Sequence, residues 1–257
     1  MKKVLVWIVG LLFVSNMTVA QQINSIDDFV DQLQELRTLS QKMGKYYILR
    51  NLYPTNESYK QKAQETIDKF NQTLILLTEQ APTEELSIEL QKLNLTWLYV
   101  NKVLQSKYDR MAAAKVLDKL EDLQNEAASI SDMAMELTKK ELAQIIKKST
   151  EARVMVQRMN LNYIAHKAKI INPAIKDRFE ESVQKLQENI KYLENSPLND
   201  ESTAMILEMV KGKIKTFGKN ISLKSKVSPL TADMVAEGLD QDFVLLTRVY
   251  KDRLSNK

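Results

Sequence analysis

Residues 35–48 read ELRTLSQKMGKYYI, and residues 151–164 read EARVMVQRMNLNYI. Both fit E-x-R-x-x-x-Q-[K/R]-M-x-x-x-Y-I. The correspondence continues without a gap over 35–77 and 151–193, through Lys60/Lys176, Lys62/Arg178, Glu65/Glu181, Lys69/Lys185 and Leu77/Leu193. A self-match of this length marks an internal duplication of one helical unit. Polar positions recur beside apolar ones: Glu35/Glu151, Arg37/Arg153, Gln41/Gln157 and Lys42/Arg158 accompany Met43/Met159 and Tyr47/Tyr163. Two related modules are therefore expected to hold two copies of one polar cluster.

Outward from the repeat, the composition points to an all-α chain. Only five Gly and five Pro occur among 257 residues, and long tracts rich in Leu, Lys, Glu, Gln and Ala carry helix-period patterns without strand signals. The N-terminus has Lys2 and Lys3, an apolar run over 4–14 and a more polar stretch ending at Ala20. This predicts a secretory signal peptide over 1–20, cleaved before Gln21, because the apolar run is about half the roughly 20 residues a spanning helix needs. An exported, periplasmic protein is expected. The chain has no Cys, so a disulfide framework and a lipid-modified cysteine anchor are excluded. The net charge of +4 is a small difference between 37 basic and 33 acidic residues, mixed along the chain. That pattern describes solvated helix faces, and nucleic acid is not an expected partner.

The boundaries divide the chain into eight helices. The first should start at Ser25, a candidate N-cap followed by Asp27 and Asp28, and end near Tyr53-Pro54. The second spans roughly 56–80, and the third follows Pro82 and Thr83. A turn at Tyr108-Asp109 lets Asp109 cap an Ala-rich fourth helix. The fourth helix either runs on into the second copy of the first or breaks near Lys139-Lys140. The second copy then gives a helix to about 171, another from about 174 to 194, a loop over 195–200, a helix from about 201 to 221 and a last helix over roughly 230–254. Two tandem antiparallel four-helix-bundle-like units, 21–142 and 143–257, are the simplest architecture for such helices with short loops.

The stretch 36–47, LRTLSQKMGKYY, resembles the opening box of the PilJ-type N-terminal sensor domain of type IV pilus methyl-accepting chemotaxis transducers. That domain is similar in turn to the NarX-like periplasmic sensor of nitrate/nitrite sensor kinases. The family box runs approximately R-M-L-S-Q-R-[IM]-A-K-x-Y, and Arg37, Leu39, Ser40, Gln41, Met43, Lys45 and Tyr47 agree with it. Lys42 stands where the family has a second Arg, while the second copy keeps the Arg pair as Arg153 and Arg158. The resemblance implies an extracytoplasmic helical bundle whose first helix presents cations to a small oxyanion such as nitrate or nitrite. Carried onto this chain, the candidate ligand-binding residues are Arg37, Lys42, Arg153 and Arg158, supported by Glu35, Gln41, Glu151 and Gln157.

A helical wheel separates these residues. With 3.6 residues per turn, Leu33, Leu36, Ser40, Met43 and Tyr47 fall within about 40° of Phe29, and Lys42 falls about 140° away with Glu35, Leu39 and Tyr46. Arg158 repeats this with Glu151. If the two mixed faces meet across a pseudo-two-fold, their cations repel unless an anion neutralises them. The plainer reading gives Arg37 and Arg153 a structural role, their stems packed and their heads paired with Glu35 or Glu151. Gln41 and Gln157 then bond between helices, and the methionines fill a core. No nucleophile–base set, phosphate loop, cofactor motif or metal box stands out, so neither an enzyme nor a cofactor is expected. The sequence thus supports a sensor-like binder of a small anion acting with a membrane-bound signalling or transport partner. Its rival is a ligand-free bundle that docks on a membrane protein or on a second copy of itself.

Overall fold

The computed structural model describes residues 23–106, 108–138, 141–220 and 222–255. Within them the chain is all-α, with no strand among the described residues: α1 Ile26–Leu52, α2 Glu57–Glu79, α3 Glu84–Leu104, α4 Arg110–Glu136, α5 Glu141–Lys167, α6 Ala174–Glu194, α7 Glu201–Asn220 and α8 Pro229–Ser255. The expected leader over 1–20, its cut before Gln21 and the Lys139-Lys140 pair lie outside the described residues. α4 ends at Glu136 and α5 starts at Glu141. They are separate helices, and their junction precedes the expected 142/143 boundary by a few residues.

Local chemistry sets most of the ends. Ser25 Oγ accepts from the Asp28 amide at 3.1 Å, Thr83 Oγ1 from Leu86 at 3.3 Å, and Asp109 from both Met111 and Ala112 at 2.8 and 3.2 Å. Each satisfies amides that a helix N-terminus leaves without partners. α5 stops at Lys167, short of the expected 171. Lys169 adopts a left-handed φ of 56°, and the Ile170 amide reaches back to the Ala165 carbonyl at 3.1 Å. This is a Schellman-type ending. Asn172, in front of Pro173, then starts α6 by accepting from the Ala174 amide at 2.9 Å.

α1 packs on α2, α4 and α5, while α5 packs on α1, α6 and α8; α3 bridges α2 and α4, and α7 bridges α6 and α8. The repeated helices α1 and α5 thus lie side by side at the centre. The wheel gave each one core stripe and a second, mixed face. Both helices are enclosed around most of their circumference, Leu39 and Tyr46 on the mixed face included. Each is covered on one side by helices of its own repeat and on the other by the opposite copy. Gly44 marks the tightest approach: a Cβ there would lie 2.8 Å from Leu120 Cδ1 and 3.0 Å from Leu161 Cδ2. Glycine costs a helix about 1 kcal/mol relative to alanine, and here it lets α4 and α5 close on α1.

The ungapped correspondence extends further in the structure than in sequence. At the offset separating Glu35 from Glu151, α4 falls on α8, with Glu121 on Glu237, Leu123 on Leu239, Gln124 on Asp240 and Ile130 on Leu246. The buried positions follow the same register: Val116, Leu120, Ala127 and Ala134 correspond to Ala232, Ala236, Phe243 and Tyr250, all buried. The outer helices diverge more. Trp97 of α3 packs on Phe70 with ring centroids 4.4 Å apart and donates to Asn71 Oδ1 at 2.6 Å. Its counterpart on α7 is Lys213, which pairs with Asp242 at 2.6 Å.

Candidate functional site at the interface of the repeats

All four candidate cations sit on α1 and α5, where enclosure brings them among carboxylates and amides of neighbouring helices. Arg37 Nε and Nη2 both donate to Gln124 Oε1 on α4 at 2.9 and 2.8 Å, and Nη1 donates to Gln34 Oε1 at 2.6 Å. Nη1 also lies 3.7 Å from Glu151 on α5. Arg153 mirrors this across the centre: Nε donates to Asp240 Oδ1 on α8 at 3.1 Å, and Nη1 pairs with Glu35 on α1 at 3.1 Å. The Arg and Glu of each copy are therefore exchanged between copies. This is the Arg–Glu pairing that the plainer reading anticipated.

Lys42 and Arg158 do not meet each other. Lys42 Nζ reaches α8, 2.9 Å from Asp240 Oδ2 and 3.1 Å from Glu237 Oε2. Arg158 reaches α4 and α6, donating through Nε and Nη2 to both oxygens of Glu121 at 3.1 and 2.6 Å. It also donates to Glu181 at 2.8 Å. Glu121 and Glu237 correspond in the repeat, so one cation–carboxylate contact is present twice. A guanidinium can span two helices with a planar fork where an ammonium is a point charge. Arg158 ties α6 to α4, whereas Lys42 is committed wholly to α8.

One strongly buried cation was not singled out as a site residue by the sequence. Lys45, fully buried, donates to Gln157 Oε1 at 2.8 Å and to Glu237. Its Nζ also lies 2.8 Å from Asp233 Oδ1, close enough for an ion pair but without hydrogen-bond alignment. Its carboxylate partners, like those of Lys42 and one of the two of Arg153, come from α8, where the duplicated tract is no longer obvious. Carrying the constant offset through the fourth helix would have paired Glu121 with Glu237 and Gln124 with Asp240. Of the supporting residues, Gln157 accepts from Lys45 and donates to Glu237 at 3.0 Å. Gln41 donates only a long bond of 3.4 Å to Ser40.

These neighbours decide the charge states. Burial alone would push the Glu35 carboxyl up, but Arg153 and Lys69 outweigh it and hold it at about 2. Burial opposes ionisation of Glu237 too, and Lys45 with Lys42 brings it down to about 2. For Arg37, burial wins and lowers the value despite Glu151. For Arg153, burial acts the same way but Glu35 and Asp240 reverse it, so its value rises. Two features separate them: Glu35 lies closer to Arg153 than Glu151 does to Arg37, and anionic Asp240 stands where Arg37 has neutral Gln124.

Beside Lys42, a cleft of about 540 Å³ opens between α2 and α8, with Glu35, Lys62, Lys69, Glu237 and Asp240 on its walls. The Lys62 ammonium lies 5.7 Å from the ring centroids of both Tyr46 and Tyr59. Each of the four candidate cations has a carboxylate of this chain within 4 Å, so the anion that two facing cations would demand is supplied internally. No protein-family model, curated protein or solved structure matches the chain.

Proposed function

We propose that this chain is an exported, non-catalytic helical interaction protein whose repeat-derived cations lock the two copies together rather than capture an anion. The observation carrying this is the exchanged pairing of Arg37 with Glu151 and of Arg153 with Glu35. An oxyanion entering there would have to displace carboxylates already in place, and removing one partner of a buried pair costs about 3–5 kcal/mol. Export rests on Lys2, Lys3 and the short apolar run that follows. The partner is a membrane-bound protein or a second copy of the chain.

A small charged ligand is the second reading, and it has one specific foothold in the cleft flanked by Lys62 and Lys69. Thermal unfolding with nitrate, nitrite, sulfate and phosphate, each against chloride at equal ionic strength, separates the two. A ligand at a hundred times its dissociation constant stabilises by about 2.7 kcal/mol. The interaction reading expects no midpoint shift beyond the general salt effect of sulfate and phosphate. A saturable rise with nitrate that disappears in Arg158→Ala or Lys42→Ala would return these residues to a ligand site.

A further inference from the structure

α3 carries an exposed apolar strip that its repeat counterpart lacks. Ile88, Leu95, Leu98 and Tyr99 are 46%, 69%, 57% and 51% exposed, opposite the buried face formed by Leu86, Leu90, Leu93, Trp97 and Val100. At the corresponding positions α7 has Ala204, Lys211, Ile214 and Lys215, and Lys211 pairs with Glu194 and Glu208. The same fold is therefore built once with two lysines, an alanine and an isoleucine at these positions and once with four large apolar groups. Folding does not require the strip. It continues at the end of α3 into a groove of about 240 Å³ lined by Tyr99, Val103, Met111 and Val116, where Met111 is 76% exposed.

The charges on the strip select an occupant. Glu84, Ile88, Gln91, Leu95, Leu98 and Lys102 lie within about 40° of the line through Leu95 and Lys102, apart from the slightly wider Leu98. Acid stands at the N-terminal end and base at the C-terminal end. Laid antiparallel on a copy of itself, with the two-fold axis at the level of Leu93, this face sets Glu84 opposite Lys102, Ile88 opposite Leu98 and Gln91 opposite Leu95. Every pairing then occurs twice, as in any isologous interface. A parallel arrangement would set Glu84 against Glu84 and Lys102 against Lys102.

We infer that α3 is a homodimerisation surface on which two copies of this chain pair antiparallel through Ile88, Leu95 and Leu98, with Glu84 and Lys102 fixing the register. The inference rests on the interaction reading above and names its partner as a second copy. α3 is about 30 Å long, and one helix face covers less than the roughly 800 Å² per partner of a standard interface. The dimer is weak and concentration-dependent.

Sedimentation of the purified protein from about 1 to 500 μM should show the average mass rising from one chain towards two, in the micromolar-to-millimolar range of small interfaces. Leu95→Glu, at an exposed position, should weaken association about a hundredfold because a leucine covered by Gln91 of the other copy becomes a buried carboxylate, and the two-fold makes the change twice. Glu84→Lys and Lys102→Glu should each weaken it about fivefold, and the double exchange should restore it to within about twofold. A protein monomeric at every concentration overturns the inference, as does a dimer indifferent to Leu95→Glu or a charge exchange that fails to rescue. Those failures leave the interaction reading standing with another partner, since that reading falls only to a saturable anion shift.

Discussion

The two copies of the central cluster use the same helices and register but balance their charges differently. Arg37 faces neutral Gln124 and Gln34 and has Glu151 at 3.7 Å, whereas Arg153 faces two carboxylates, Asp240 and Glu35, at 3.1 Å each. Two turns further on, α1 places Lys45 against Asp233. The corresponding positions, Leu161 on α5 and Leu117 on α4, are both apolar and buried. Equivalent positions hold a buried ion pair in one copy and two buried leucines in the other. At these positions the charge thus lies on the α1–α8 side and the apolar packing on the α4–α5 side.

The leucine solution gives the strongest way to break this contrast. Lys45→Leu alone should destabilise by about 3–5 kcal/mol, since it leaves the buried Asp233 carboxyl without its cation beside Glu237. Lys45→Leu with Asp233→Leu installs the arrangement of the other copy and should recover all but about 1–2 kcal/mol, because well-packed apolar pairs replace buried ion pairs at little cost. Urea unfolding of the two variants measures the difference. A double variant no more stable than the single one would mean that the copies are not interchangeable at this position.

A smaller effect tests the arginines. Arg153→Ala leaves Glu35 to Lys69 and Asp240 to Lys42 alone and should cost about 3 kcal/mol, whereas Arg37→Ala removes one longer ion pair and the bonds to two amides and should cost about 1–2 kcal/mol. Equal losses in parallel urea titrations would show that Asp240 adds nothing that Gln124 lacks, and the charge asymmetry would then have no energetic content.

Much of this was legible in the sequence, and the misses share one cause. Ser25, Thr83 and Asp109 announced their helices because capping is a local property of a few side chains. Arg37 and Arg153 were visible because the duplication repeats them with Glu35 and Glu151. The wheel set Lys42 and Arg158 on faces expected to meet each other, but a wheel does not say which helices cover a face. α1 and α5 are enclosed on both sides, so a polar face there marks an interior network. Asp233, Glu237 and Asp240 escaped because their partners lie some 190 residues away along the chain for Lys42 and Lys45, and no helical period reports on such contacts. The α3 strip drew no reading from the sequence, because a list of apolar residues does not by itself say that Ile88, Leu95 and Leu98 stay exposed.

The smallest effect sharpens the comparison through pH. Glu35 and Glu237 both ionise at about 2 rather than at the ordinary 4.5, and both serve the charge-rich α1–α8 side through Arg153, Lys42 and Lys45. A depressed carboxylate contributes stability that is fully present above its unfolded value and lost as pH falls through its folded value. The loss therefore begins near pH 4.5 and runs towards pH 2. By pH 3 it should amount to about 2 kcal/mol, after allowing for the two groups sharing one network of cations. Glu35→Gln and Glu237→Gln should each be less stable than the unmodified protein at pH 7 and lose less on acidification, so that the curves converge near pH 3. Arg158→Ala, on the other side of the centre, should lower the curve without flattening that part of it which comes from Glu35 and Glu237. If the acid slope between pH 4.5 and 3 survives in both glutamine variants, the protons are taken up elsewhere, and the concentration of charge between α1 and α8 is not what makes this fold acid-sensitive.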